Sequence, residues 1–162
     1  MILHRKGIAY VKGNKVYEGN FKNGIRGGKG IVYDKDNNKL FEGDWKNDMI
    51  DGIGIIYDKS ENKLFEGEFK NNISEGKGKM DDGQIIYESD FKNFERDGKG
   101  IFYLNNGSKI NVNYKNDILE EKGILIKDGK ESEVEIKIGS NEKKLIINHK
   151  NWEKEEFSLK KD

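Results

Sequence analysis

The reading turns on the stretch from Tyr17 to Leu64, which runs YEGNFKNGIRGGKGIVYDKDNNKL over 17–40 and then FEGDWKNDMIDGIGIIYDKSENKL over 41–64. The same frame returns at Phe65 (FEGEFKNNISEGKGKMDDGQII) and at Tyr87 (YESDFKNFERDGKGIFYLNNGSK), giving spacings of 24, 24 and 22 residues. A worn copy starts at Ile110 (INVNYKNDILEEKGILIKDGKES), and from Val134 only alternating apolar positions survive. Ahead of the first copy, Gly7-Ile8-Ala9-Tyr10 matches the second half of a unit. Regular middles between atypical ends suit a stack of repeats, because each unit buries its apolar face on its neighbours and the terminal units must be capped. The chain reads as one repeat domain over 1–162, with a half-repeat at 1–16, regular repeats at 17–109, degenerate repeats at 110–139 and a C-terminal cap at 140–162.

Each unit begins with an alternating segment such as Phe41-Glu42-Gly43-Asp44-Trp45-Lys46, the period-2 pattern of a half-exposed strand. Its second segment is Gly-x-Gly followed by β-favouring residues, with the glycines at Gly28 and Gly30, Gly52 and Gly54, Gly76 and Gly78, and Gly98 and Gly100. Turn signals stand at Gly13-Asn14, Asp36-Asn37-Asn38, Asp82-Gly83, Asn106-Gly107 and Asp128-Gly129. Each unit is therefore a β-hairpin. The fold class expected is all-β: a single-layer, elongated antiparallel sheet of stacked hairpins, solenoid-like, with atypical caps.

Alternation places Tyr17, Phe41, Phe65 and Tyr87 in one column, and Phe21, Trp45, Phe69, Phe91 and Tyr114 in a second on the same face. Between them Gly19, Gly43 and Gly67 predict an aromatic-walled trough. A single-layer sheet has no second layer to cover that face, and exposed apolar surface marks binding sites. These nine aromatics are the candidate partner-binding residues, for an extended segment or helix of another protein lying along the trough. The opposite face is expected to be solvated and charge-balanced, with Glu18, Glu42, Glu66 and Glu88 in one column and Lys22, Lys46, Lys70, Lys92 and Lys115 in another.

The composition narrows the function classes. Thirty Lys and Arg stand against 30 Asp and Glu, so the formal net charge is zero, which argues against nucleic acid as a partner. With no Cys there is neither a disulfide framework nor a thiolate metal site. No apolar run approaches the roughly 20 residues that cross a bilayer as a helix, and the first ten residues lack the apolar stretch of a secretory signal. A cytoplasmic location is the expectation. The only histidines, His4 and His149, lie near opposite ends of the sequence, and no Ser sits in a Gly-x-Ser-x-Gly frame, so no nucleophile relay assembles. Asp34-Lys35-Asp36-Asn37-Asn38 imitates the start of a calcium loop, but Lys39 stands at the turn-glycine position and Trp45 at the bidentate-Glu position. No catalytic residues, metal or cofactor are expected.

At the C-terminus, Lys144-Leu145-Ile146-Ile147 reads as a last strand, and the Trp152-Glu153-Lys154-Glu155-Glu156 run fits a helix. Trp152, Phe157 and Leu159 are apolar points in a charged tail. The tail is expected to cap the sheet edge or to fold back into the trough; an uncapped edge predicts a homodimer through the sheet ends.

The repeated Tyr-x-Gly, the second aromatic two residues on, and Gly-x-Gly about nine residues after the first Gly together resemble the MORN repeat over roughly residues 7 to 126. Ser89 departs from the pattern in the unit at Tyr87, and Val112 and Glu121 do so in the unit at Ile110. The resemblance implies an elongated, twisted sheet with an aromatic-lined groove, and a non-enzymatic interaction module. Within that frame the chain is a scaffold or adaptor, or a stand-alone inhibitor of immunity, antitoxin or phage type. The alternative is a peripheral membrane scaffold that binds phospholipid through the lysine columns.

Overall fold

The computed structural model describes residues 4–81, 86–138, 144–150 and 153–158, without the side chains of His4, Tyr87, Lys144 and Ser158. Among these residues there are fifteen strands and no helix. They are β1 (His4–Val11), β2 (Asn14–Lys22), β3 (Ile25–Tyr33), β4 (Lys39–Lys46), β5 (Met49–Tyr57), β6 (Lys63–Lys70), β7 (Ile73–Asp81), β8 (Ile86–Lys92), β9 (Glu95–Tyr103), β10 (Lys109–Lys115), β11 (Ile118–Leu119), β12 (Lys122–Lys127), β13 (Lys130–Ile138), β14 (Lys144–His149) and β15 (Lys154–Ser158). They form one open antiparallel sheet in hairpin order, with β11 beside β10 and off the main path. The chain divides into two compact units, 1–78 and 79–162, each described below by itself.

In the first unit the register is set by glycine. Gly7, Gly19, Gly30, Gly43, Gly54 and Gly67 are direct cross-strand partners in turn, a glycine row that crosses six strands. Each repeat is therefore carried two strands along the sheet without slippage, about 9.6 Å at the usual strand spacing. The hairpin turns are two-residue turns with positive φ at both positions: Asn23 (53°) and Gly24 (79°), Asn47 (52°) and Asp48 (64°), Asn71 (50°) and Asn72 (69°). These are the mirror-image turns whose twist matches that of paired strands. The longer connections after Tyr33 and Tyr57 are closed by an aspartate. Asp34 Oδ1 accepts the Asp36 and Asn38 amides, and Asp58 Oδ1 accepts those of Ser60 and Asn62. The calcium-like sequence at Asp34 is thus a side-chain-closed turn.

The two glycines of each Gly-x-Gly do different work. The first sits on a register shift with positive φ, as at Gly28 (87°) and Gly52 (127°), where an L side chain is strained. The second lies under a ring. A Cβ built on Gly30 would stand 2.1 Å from the Tyr17 hydroxyl oxygen, and one on Gly54 2.4 Å from a Phe41 ring carbon.

The second unit keeps the hairpin order but changes the core. Ile110, Val112, Leu125, Val134, Ile136, Leu145 and Ile147 join Phe102, Leu104 and Tyr114 in one buried cluster, with Leu119 and Phe157 packed against it. Ile136 takes over the ring's place: its Cδ1 would meet a Cβ on Gly123 at 2.3 Å. The helix expected over 152–156 is not formed at its described part, because Lys154–Ser158 is strand β15, paired with β14. Its alternation puts Phe157 against the core with half-buried Glu155, which is hydrogen-bonded to His149 at 3.0 Å, on the same face, and leaves Lys154 and Glu156 exposed. Trp152 and Leu159 lie outside the described residues.

Candidate functional site

The aromatic columns form as the alternation requires, but the trough between them does not. Tyr17, Phe41, Trp45, Phe65 and Phe69 are 2–7% exposed. Rings from the two columns lean towards each other over the glycine row and meet edge to face. Tyr17 contacts Phe21 at 5.2 Å and Trp45 at 5.4 Å, Phe41 contacts Trp45 at 5.8 Å and Phe69 at 5.6 Å, and Phe65 contacts Phe69 at 5.6 Å. A glycine without a side chain is the only floor on which a ring can lie flat against backbone, so these glycines seat the rings instead of opening a channel. Trp45 also donates its indole N–H to the Gly30 carbonyl at 3.3 Å. The Tyr17 hydroxyl donates to the Asn20 carbonyl at 3.3 Å, and burial pushes its pKa up.

Of the remaining candidate residues, Phe91 and Tyr114 are buried in the second unit, Phe21 is half-buried in the first, and the Tyr87 side chain lies outside the described residues. Seven of the nine candidate aromatics are buried, and among the described residues their packing closes the open groove expected between the columns.

Concavity lies on the opposite face. In the second unit a cavity of about 1070 Å³ runs across β9, β10, β12, β13 and β14. One wall follows the cross-strand line Ile101, Asn111, Ile124 and Glu133. The other carries Lys122, Glu135 and Asn148, again direct partners in turn. Lys150 closes one end through an ion pair with Glu133 at 2.6 Å, and the hydrogen bond from Lys150 holds the Glu133 carboxyl below its ordinary pKa. A smaller cavity of about 490 Å³ lies over the glycine row in the first unit, between Ile8, Glu18 and Ile31 on one side and Lys6, Asn20 and Lys29 on the other. The sequence reading placed only glutamates along this wall. Register shows why that was incomplete: Ile8, Glu18, Ile31, Glu42, Ile55 and Glu66 alternate across six strands, because Gly-x-Gly-Ile supplies the intervening strand.

The glutamate column of this face is held by ion pairs. Glu18, Glu42 and Glu66 each pair with the lysine three residues earlier, Lys15 at 3.3 Å, Lys39 at 2.9 Å and Lys63 at 3.1 Å. Tyr33 and Tyr57 donate to Glu18 and Glu42 at 3.3 and 3.2 Å. Tyr103 donates to Glu88 at 3.1 Å in the second unit. The hydrogen bond from Lys39 is the main reason the Glu42 carboxyl titrates below its ordinary value.

Four segments match the family described as the MORN repeat: residues 17–39, 41–62, 65–84 and 87–109, together more than half of the chain. The chain belongs to the MORN-repeat family. The matched segments begin at the four leading aromatics Tyr17, Phe41, Phe65 and Tyr87, the frame read from the sequence. MORN repeats are a non-enzymatic, all-β family of interaction modules that commonly engage proteins or membranes. No curated protein matches this MORN-repeat chain.

Proposed function

We propose that this MORN-repeat chain is a non-enzymatic binding module that grips a segment of a partner protein in the trough of its second unit, on the face opposite the rings. The observation that supports this is the lining of the 1070 Å³ cavity: two isoleucines, three asparagines and charges of both signs. Asn111, Asn113 and Asn148 can each donate and accept, which suits the alternating N–H and C=O groups of a polypeptide backbone. Ile101 and Ile124 supply the apolar anchor that contributes most of the affinity at a standard interface. The mixed charge is a poorer match to a uniformly anionic surface, which favours a protein over a phospholipid headgroup layer.

The test is affinity capture from the source lysate with the wild type and an Ile101→Lys/Ile124→Lys variant whose β signature is intact by circular dichroism. A protein held by the wild type and lost by the variant supports the reading, and its identity separates a scaffold or adaptor from a stand-alone inhibitor. Equal retention by both contradicts it, as does capture of anionic vesicles alone.

A further inference from the structure

The hairpin turns of the first unit carry a second surface that the trough does not use. Each two-residue turn is preceded by a lysine and followed by an apolar residue: Lys22 and Ile25, Lys46 and Met49, Lys70 and Ile73. Lys22 with Ile25 and Lys46 with Met49 are cross-strand partners, so charge and apolar surface sit side by side at each tip. All three lysines are exposed, and Ile25 and Ile73 are 43% and 38% exposed.

What distinguishes these lysines is the pairing around them. In this unit Lys15, Lys29, Lys35, Lys39 and Lys63 each hold a carboxylate within 3.3 Å, and Asp48, at the second tip, is taken by Arg26 at 3.0 Å. Among the described residues Lys22, Lys46 and Lys70 have no ion pair. In the second unit the equivalent Lys115 is neutralised by Asp97 at 3.4 Å; in the first unit the register puts Gly27 at that position beside Lys46 and Asp51 beside Lys70, with no ion pair formed between Asp51 and Lys70.

The glycine row keeps the three tips in step, so the lysines repeat at two strand spacings, about 9.6 Å. A polyproline II segment repeats every three residues at about 3.1 Å each, which is about 9.3 Å, and carries every third side chain on one side. A β-strand does not meet this spacing, because its same-face residues recur at about 6.7 Å.

We propose that the row Lys22, Lys46 and Lys70 docks an acidic polyproline II segment of a protein partner, with a carboxylate at every third residue and its ring faces against Ile25, Met49 and Ile73. Chain stiffness matters here, since a segment already extended loses little entropy on binding.

The experiment uses the full chain and two synthetic nine-residue peptides of the same composition, one with Glu at positions 1, 4 and 7 among prolines and one with the three Glu adjacent. Binding is read by fluorescence anisotropy at about 20 and 300 mM salt, because exposed pairs are screened at the higher value. The spaced peptide is expected to bind at low salt at least five-fold more tightly than the clustered one. A Lys22→Gln/Lys46→Gln/Lys70→Gln variant should lose at least ten-fold while keeping its melting temperature, and a Lys35→Gln control should bind as wild type. Equal affinity for the two peptides overturns the proposal, as does binding that survives the triple substitution. No peptide binding, alongside co-sedimentation with phosphatidylserine vesicles, assigns the row to a lipid surface and also overturns it.

Discussion

The guanidinium carbon of Arg26 lies 4.2 Å from the centre of the Trp45 ring, which itself meets Tyr17 on one side and Phe41 on the other. From there Nε reaches Asp48 Oδ1 at 3.0 Å and a terminal nitrogen reaches the Asp48 carbonyl at 3.0 Å. In the second unit Arg96 repeats the arrangement over Tyr114 at 4.3 Å, with its own ion pair to Asp117. Two of the chain's three arginines thus occupy equivalent positions in a lysine-rich sequence. The geometry needs a planar fork that can stack and donate at once, which an ammonium cannot supply.

Arg26→Lys is therefore expected to lose about 1 kcal/mol and Arg26→Ala somewhat more, through lost stacking and an unmatched turn. Urea denaturation of the two variants against wild type checks this.

The glycines give a graded series. Gly30→Ala forces a Cβ into the Tyr17 ring and is expected to cost about 3 kcal/mol, at the upper end of overpacking effects. Gly27 has only the Trp45 carbonyl at 3.9 Å and no positive φ, so Gly27→Ala should be neutral or stabilising by up to about 1 kcal/mol. Thermal melts of the pair read the difference directly.

Ser74 is 2% exposed, and among the described residues its hydroxyl has no hydrogen-bond partner. Ser74→Ala removes a buried polar group that makes no bond, and is expected to stabilise the chain by about 1 kcal/mol in the same melts.

Acid should weaken the hairpin tips through Asp48. The Arg26 backbone N–H, and then its side chain, hold the Asp48 carboxyl below its ordinary pKa. A carboxyl depressed on folding contributes stability that is present above its unfolded pKa, near 3.9, and is lost as pH falls through the folded value. Asp48→Asn should flatten the fall in stability below about pH 4 while lowering it at pH 7, measured by urea melts across that range.

Much of this fold is legible because 24-residue spacing and alternation fix strand order and face. The four repeat origins, the two aromatic columns and the glycine row all follow from those periods. The closure of the trough does not, since alternation says which face Phe41 and Trp45 share but not that their rings tilt towards each other over Gly43. The short turns were hidden by their variety, with Gly24, Asp48, Asn72 and Phe94 filling one left-handed position. The ion pairs of the opposite face were not legible for a related reason: Lys39 pairs with Glu42, and a column of like residues does not reveal which neighbour each one meets.

The central claim is that the repeated aromatics are the core and the opposite face is free to bind. Phe41 tests it most directly, because its ring covers Gly54 and meets both Trp45 and Phe69. Urea denaturation of Phe41→Ala should show a loss of about 3–5 kcal/mol, against under about 1 kcal/mol for Ile31→Ala on the opposite face. A folded Phe41→Ala protein within about 1 kcal/mol of wild type would show that the ring is not structural, and would return the aromatic columns to the role of a binding surface.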